Sequence, residues 1–362
     1  MRIASGASRI AIVAAAFAAL LLAAPAAPAA PIPASFWGVN PVAVPTDAQL
    51  ARTAEGGVGS IRVPLKWSVV QPTAGAEPDW EGFDLLVAGP ARQHLQVLPV
   101  VWGSPRWVAP SERHLPVSGA QLKAWSGFLR AAVGRYGPGG SFWDEHAPGS
   151  PDPLPYDPIR IWQIWNEPNF FYFADPVSPP AYAKLVKASR KALSAADPGA
   201  DLLLGGMFGT PAQRPPRAYE GAAFLSMLYR VKGIATSFDG VALHPYANSA
   251  AEVPAQIDAL RATMKENGDA STGLWITELS WGSAARGPFQ KGLKGQGQEL
   301  ARAFSILRDG RNRWRLKGIH WYSLTDDPNP DACNFCASAG LFTASFRPKP
   351  AWNRFTAFAR GR

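Results

Sequence analysis

The 362-residue sequence predicts an α/β protein built as a single (β/α)8 barrel, and three observations carry that prediction. Apolar strand-like runs alternate with amphipathic helical stretches, the pattern of a parallel sheet covered by helices. The apolar runs number eight, the strand count of the closed barrel, and the chain length suits that fold. Hydrophobic residues make up 47% of the chain and charged ones 17%, and no linker divides it. This is the composition of one globular core and excludes a disordered, collagen-like or coiled-coil chain. A doubly wound open sheet is the alternative architecture.

The chain begins with what reads as an address. Arg2 and Arg9 flank the start of an uncharged apolar run over 10–22, followed by Ala-Pro repeats with small-residue cleavage sites at 24–26 or 27–29. A secretory signal peptide over residues 1–29 is therefore expected, with the barrel over 30–362. The apolar run is shorter than the roughly 20 residues that span a bilayer, so a retained membrane anchor is not expected. The protein is expected to be secreted or associated with the cell wall, and to be a monomer. Signal removal takes the basic residues from 36 to 34 against 27 acidic ones, so the net charge falls from +9 to +7. Those positive residues are dispersed, which reads as a solvated surface; a basic surface can also attract acidic polysaccharide. There is no P-loop, no GxGxxG after a strand and no nucleic-acid motif, so nucleic acid is not an expected partner.

The strands are expected at 36–40, 60–65, 95–102, 159–166, 201–206, 238–244, 274–278 and 318–324. Leu122, Trp125, Leu129, Ala132, Val133 and Tyr136 share one helical face, and Ser178 before Pro179-Pro180 reads as a helix N-cap. Further helices fit 218–231, 254–267, 296–308 and 351–360, and the Gly- and Pro-rich stretch 137–158 reads as a long loop entering the fourth strand. Two Cys and five His exclude a multi-cysteine scaffold and make no case for a metal centre. Cys333 and Cys336 lack further zinc ligands nearby, and in an exported chain a local disulfide shaping a loop is expected.

In a barrel of this kind the chemistry sits at the C-terminal ends of the strands. The fourth strand ends in Trp165-Asn166-Glu167-Pro168, which places Glu167 at the barrel mouth. Successive strand residues face opposite ways, so a bulge or early turn is needed to bring one of Asn166 and Glu167 into the site. In Leu274-Trp-Ile-Thr-Glu278, alternation puts Leu274, Ile276 and Glu278 on one face, so the acid is expected to continue an interior row. Arg62, alternating against Ile61 and Val63, is expected to face inward and pair with Glu278. A purely structural ion pair is the bland alternative. His244 and Tyr246 end the sixth strand on one face, where the His can orient an acid or a hydroxyl and the Tyr can bond a carboxylate. Trp321 could floor a sugar site, and Trp37, Trp102, Trp107, Trp281 and the 170–173 aromatic cluster could stack on further rings. Taken singly, each barrel Trp is more often packing.

Two carboxyl groups, one donating a proton and one ionised, are what glycosidic-bond cleavage requires. On these residues the sequence resembles the clan A retaining glycoside hydrolases, closest to the family 39 and family 5 neighbourhood. Trp165-Asn166-Glu167-Pro168 and Ile276-Thr277-Glu278 match in order and context, with Arg135 to Trp143, Gly340-Leu-Phe and Lys349-Pro-Ala as supporting matches. The resemblance implies Glu167 as acid/base and Glu278 as nucleophile. It further implies Asn166 on the sugar 2-hydroxyl, Arg62 and Tyr246 supporting the nucleophile, and Trp321 flooring the site. Family 5 members often carry a His after the third strand; here Val101-Trp102-Gly103-Ser104 stands there, which favours the family 39 side. The expected activity is hydrolysis of β-glycosidic bonds in a poly- or oligosaccharide, with no cofactor and no metal needed. A transglycosylase using the same residues and a non-catalytic carbohydrate-binding barrel are the alternatives.

Overall fold

The computed structural model describes residues 31–329, 333 and 335–361. The signal-peptide expectation for residues 1–29 lies outside the described residues. Eight parallel strands close into a barrel: β1 (Trp37–Asn40), β2 (Ser60–Lys66), β3 (Gln96–Trp102), β4 (Ile161–Ile164), β5 (Asp201–Leu204), β6 (Gly240–His244), β7 (Gly273–Leu279) and β8 (Leu316–Tyr322). Each pairs with its sequence neighbours, and β8 returns to β1 through Trp37↔Ile319 to Asn40↔Tyr322. The β5–β6 seam is narrow, with a single pairing at Leu203↔Gly240. A two-residue strand, Met207–Phe208, widens that seam by pairing with Leu243 and His244.

The major helices follow in alternation: α1 (Asp47–Glu55), α2 (Glu81–Arg92), α3 (Gly119–Tyr136), α4 (Pro179–Ala196), α5 (Gly221–Tyr229), α6 (Val253–Glu266), α7 (Gly292–Trp314) and α8 (Pro350–Ala359). Their starts are written locally. Ser178 accepts from Ala181 N ahead of two prolines, and Ser118 with Gln121 forms a capping box at α3. The sequence reading named no helix at α1 or α2. The Thr46–Gln49 capping box marks the start of α1, while Gly82, Gly89 and Pro90 interrupt the helical pattern of α2.

The apolar core lies between the barrel and its helices. Trp37 stacks on Phe304 of α7 at 5.1 Å, and Trp321 packs against Trp281 and Phe304. Inside the barrel, an apolar layer of Leu98, Leu203, Ala242, Ile161 and Trp275 closes the end nearer the strand starts. Two residues further along three of these strands stand Gln163, His244 and Thr277, so the interior turns polar toward the mouth. Among the described residues no helix is long and apolar enough to cross a membrane.

Two expectations are corrected. The fourth strand ends at Ile164, before Asn166, because the chain leaves extended geometry at Trp165. In β7 the interior row is Trp275 and Thr277, not Leu274 and Ile276; Glu278 joins it because the β7–β8 register slips between Ile276 and Leu279. Thr277 and Glu278 therefore both face inward, which regular alternation forbids.

Candidate active site

The turn after β4 sets Glu167 in place. Trp165 has φ 69° and Glu167 φ 37°, both in the left-handed region, which costs a non-glycine residue roughly 1–2 kcal/mol. Tertiary bonds hold them there. Trp165 N donates to Val101 O at 2.8 Å and its indole N–H to Phe173 O at 2.8 Å, while Glu167 N donates to Gly206 O at 3.1 Å. Gly206 is needed for this approach, since a Cβ there would sit 2.0 Å from His244 Nε2. The double reversal lets Asn166 and Glu167 both reach the interior. Strained backbone held by its surroundings is a feature of functional sites.

Arg62 is the hub. Its guanidinium donates from Nε to Gln163 Oε1 at 2.6 Å and from Nη1 to Asn40 Oδ1 at 3.0 Å and Glu278 Oε1 at 2.7 Å. Its Nη2 donates to Asn166 Oδ1 at 2.8 Å. Tyr246 donates to the other oxygen of Glu278 at 2.9 Å. Both oxygens of Glu278 are thus fixed in direction. Asn166, with its oxygen taken by Arg62, offers its amide N–H groups as donors.

Glu167 has a different neighbourhood. His244 Nδ1 lies 2.8 Å from its Oε1, and His244 Nε2 lies 2.9 Å from Thr277 Oγ1. Gln163 donates to Thr277 Oγ1 at 3.3 Å, which leaves the Thr hydroxyl proton to donate to Nε2. That assignment puts the imidazole proton on Nδ1, donating to Glu167. Burial pushes the Glu167 carboxyl above its usual range and the nearby Glu278 charge adds to the rise, while His244 opposes it. Burial is the larger cause of the rise. Burial also lowers His244 to about 4.

Carboxylate oxygens of Glu167 and Glu278 and a ring nitrogen of His244 all lie within 4.8 Å of one another. This is also a spacing at which three ligands could meet a cation. Here each ligand atom is already engaged: Arg62 and Tyr246 hold Glu278, and His244 and Glu167 hold each other. In this arrangement the donor set serves hydrogen bonds.

A cavity of about 130 Å³ opens beside the two acids. Asn166, Glu167, Tyr246, Glu278 and Tyr322 line it, with a wall of Phe170, Tyr172, Phe173, Phe208 and Phe335. Cys333 and Cys336 are joined as a disulfide, and both line the same wall.

The tryptophans divide differently from expectation. Trp321, Trp37 and Trp281 lie in the core, away from the cavity. Trp321 and Trp281 use their indole N–H groups on Ala339 O and Ala247 O, and Trp37 faces the helices. Trp321 is displaced by one residue from the cavity: its neighbour Tyr322 faces inward in its stead, as strand alternation requires. Half-buried Trp102 lies under Lys66, at 5.1 Å, and edge-on to Trp165 and Phe173; Trp107 packs on Trp67. Neither lines the cavity. The sequence reading missed Asn40, Gln163, Thr277 and Tyr322.

Two predictions arise here. Arg62→Met leaves Glu278, Asn166 and Gln163 without their shared donor, and is expected to cost about 3–5 kcal/mol, the scale for breaking a buried pair. Urea unfolding at pH 7 measures it, and a loss below about 1 kcal/mol would contradict the hub role. The second concerns pH. His320, buried with Nε2 3.1 Å from Ser60 Oγ, is lowered to about 3, first by burial and then by the nearby Arg62 charge. A lowered folded pKa means that, below about 6.5, the unfolded chain binds protons that the folded chain refuses. Stability is then expected to fall as pH drops from 6.5 toward 4, by about 3 kcal/mol for a shift of this size. Glu167, raised in the fold, acts in the opposite direction. Denaturant midpoints at pH 7, 5.5 and 4 should show a shallower loss in His320→Asn than in wild type; parallel losses would contradict it.

No family model and no curated protein matches the chain. Solved structures do. A family 39 glycoside hydrolase from Bacteroides cellulosilyticus superposes with TM-score 0.66 at 22% identity, covering 90% of this chain and 63% of that one. A monomeric β-xylosidase from Caulobacter crescentus gives 0.66 at 17% identity, covering 89% and 67%. A GH5 protein of Streptomyces cattleya, in complex with Manβ1-4GlcNAc, gives 0.61 at 17% identity, covering 90% and 80%. This chain therefore spans somewhat under two thirds of the first structure's length. At these identities the likeness establishes the barrel fold, and the first and third of these neighbours are named for the two families that the sequence motifs resemble.

Proposed function

We propose that the protein is a retaining glycoside hydrolase that cleaves β-glycosidic bonds in a poly- or oligosaccharide by double displacement. One observation carries the reading: oxygens of two buried carboxylates, from the ends of two different strands, lie within 4.8 Å of one another across a cavity. Carboxyl groups about 5–5.5 Å apart suit attack by one of them, whereas about 6.5–9.5 Å leaves room for an inverting water. The structural neighbours support the same class, two of them being named as a family 39 glycoside hydrolase and a β-xylosidase.

In this reading Glu167, whose environment favours the protonated form, gives its proton to the leaving oxygen as the glycosidic C–O bond breaks. Glu278 attacks the anomeric carbon. Arg62 and Tyr246 aim its two oxygens, and each oxygen keeps a second lone pair for the new bond. Glu167, now a carboxylate stabilised by His244 Nδ1–H, takes a proton from the water that displaces Glu278. Asn166 directs its amide toward the sugar 2-hydroxyl. Removal of residues 1–29 and action outside the cytoplasm, as a monomer, belong to the same proposal.

The test is product release from a broad panel of polysaccharides and aryl β-glycosides, read by chromatography and mass spectrometry, with ligand binding measured in parallel. Reducing-sugar products are expected. Binding without product would replace this reading with a carbohydrate-binding barrel.

A further inference from the structure

The chain carries 36 basic residues against 27 acidic ones, a balance that suggests an acidic polymer as substrate. The site is built otherwise. Among the described residues lining the cavity there is no Lys, Arg or His; the charged groups are Glu167 and Glu278. Arg62 is the cation beneath them, and all three of its nitrogens are already committed to Gln163, Asn40, Glu278 and Asn166. Lys66 pairs with Glu112 at 2.8 Å, and Arg217 lies over Phe171 at 4.0 Å, a ring that does not line the cavity. The remaining wall is aromatic, with Phe170, Phe173, Phe208 and Phe335 and no hydrogen-bonding side chain among those four.

We propose that the ring position between Glu167 and Glu278 takes a neutral sugar and rejects uronic acids and other anionic sugars, whatever the charge of the outer surface. The inference rests on the glycoside hydrolase reading. A sugar carboxylate entering this cavity would lose its water and gain no cation. It would also stand within a few ångströms of an ionised carboxylate whose counter-ion is already engaged. A neutral ring meets neither cost, and its C–H faces can lie against the aromatic wall.

The experiment uses matched 4-nitrophenyl β-glycosides: xyloside, glucoside, galactoside and mannoside beside glucuronide and galacturonide, with wild type and Glu278→Gln. At least one neutral glycoside is expected to be turned over with kcat/KM 100-fold or more above its uronide counterpart. A uronide cleaved as well as or better than its neutral partner, with activity lost in Glu278→Gln, would overturn the proposal and leave the hydrolase reading standing. Should no aryl glycoside turn over, neutral cyclitol epoxides and their carboxylate counterparts are applied, and covalent mass on the Glu278 peptide is read. Labelling by neutral epoxides alone supports the proposal, and labelling by carboxylate epoxides overturns it. No labelling and no turnover with any reagent removes the hydrolase reading, and the proposal with it.

Discussion

Glu278→Gln is expected to lower kcat/KM by about 10^4-fold or more while leaving the fold intact, the scale lost when a covalent nucleophile is removed. The substitution is close to isosteric. Gln can still accept from Arg62 at the position of Oε1, so the buried guanidinium keeps an acceptor and the barrel interior keeps its volume. What it loses is nucleophilicity at a site where Arg62 and Tyr246 already fix both oxygens. Thermal unfolding within a few degrees of wild type, together with lost turnover and retained ligand binding, is the expected combination. Full activity in this variant would remove Glu278 from the chemistry.

Glu167→Ala is expected to divide substrates by leaving group. With a poor leaving group, such as a sugar hydroxyl, loss of the proton donor should cost about 10^2–10^4-fold in rate. With a good one, such as dinitrophenolate, bond cleavage needs little protonation, and the first step should be largely spared. The physical basis is burial: Glu167 is 4% exposed, and its carboxyl is held above the usual range at the moment a proton is needed. Steady-state kinetics across aryl glycosides of graded leaving-group acidity measure the difference. Equal losses across the series would argue against an acid role.

Much of this arrangement is legible in the sequence, for reasons that differ by residue. Three of the strand-like runs read clearly because they end at a polar residue followed by Pro, at Asn40-Pro41, Glu167-Pro168 and His244-Pro245. Glu167 stands out because Asn and Pro frame it at such an end. Arg62 faces inward by simple alternation against Ile61 and Val63, and the ion pair with Glu278 follows from that placement. Alternation misled in β7, where the register slip that turns Glu278 inward leaves no mark in Leu274 to Glu278. For the same reason Thr277 went unnoticed, although it connects Gln163 to His244 and so fixes the face that the imidazole shows to Glu167. Asn40 and Gln163 are polar residues in apolar strands, a signal that could have been followed: a buried amide needs partners, and both find Arg62. Trp321 and Tyr322 are adjacent, so only the register with β1 decides which enters the cavity. The Phe335 wall depends on where the disulfide loop lies, and no periodicity encodes that.

The central claim is that the two acids act across a short gap through a covalent intermediate. The anomeric form of the first product reads this most directly. Proton NMR of a β-glycoside reaction, recorded before the released sugar mutarotates, should show the β-anomer appearing first and the α-anomer growing in later. The α-anomer appearing first would mean that water attacks directly. It would contradict the account built on carboxylate oxygens within 4.8 Å.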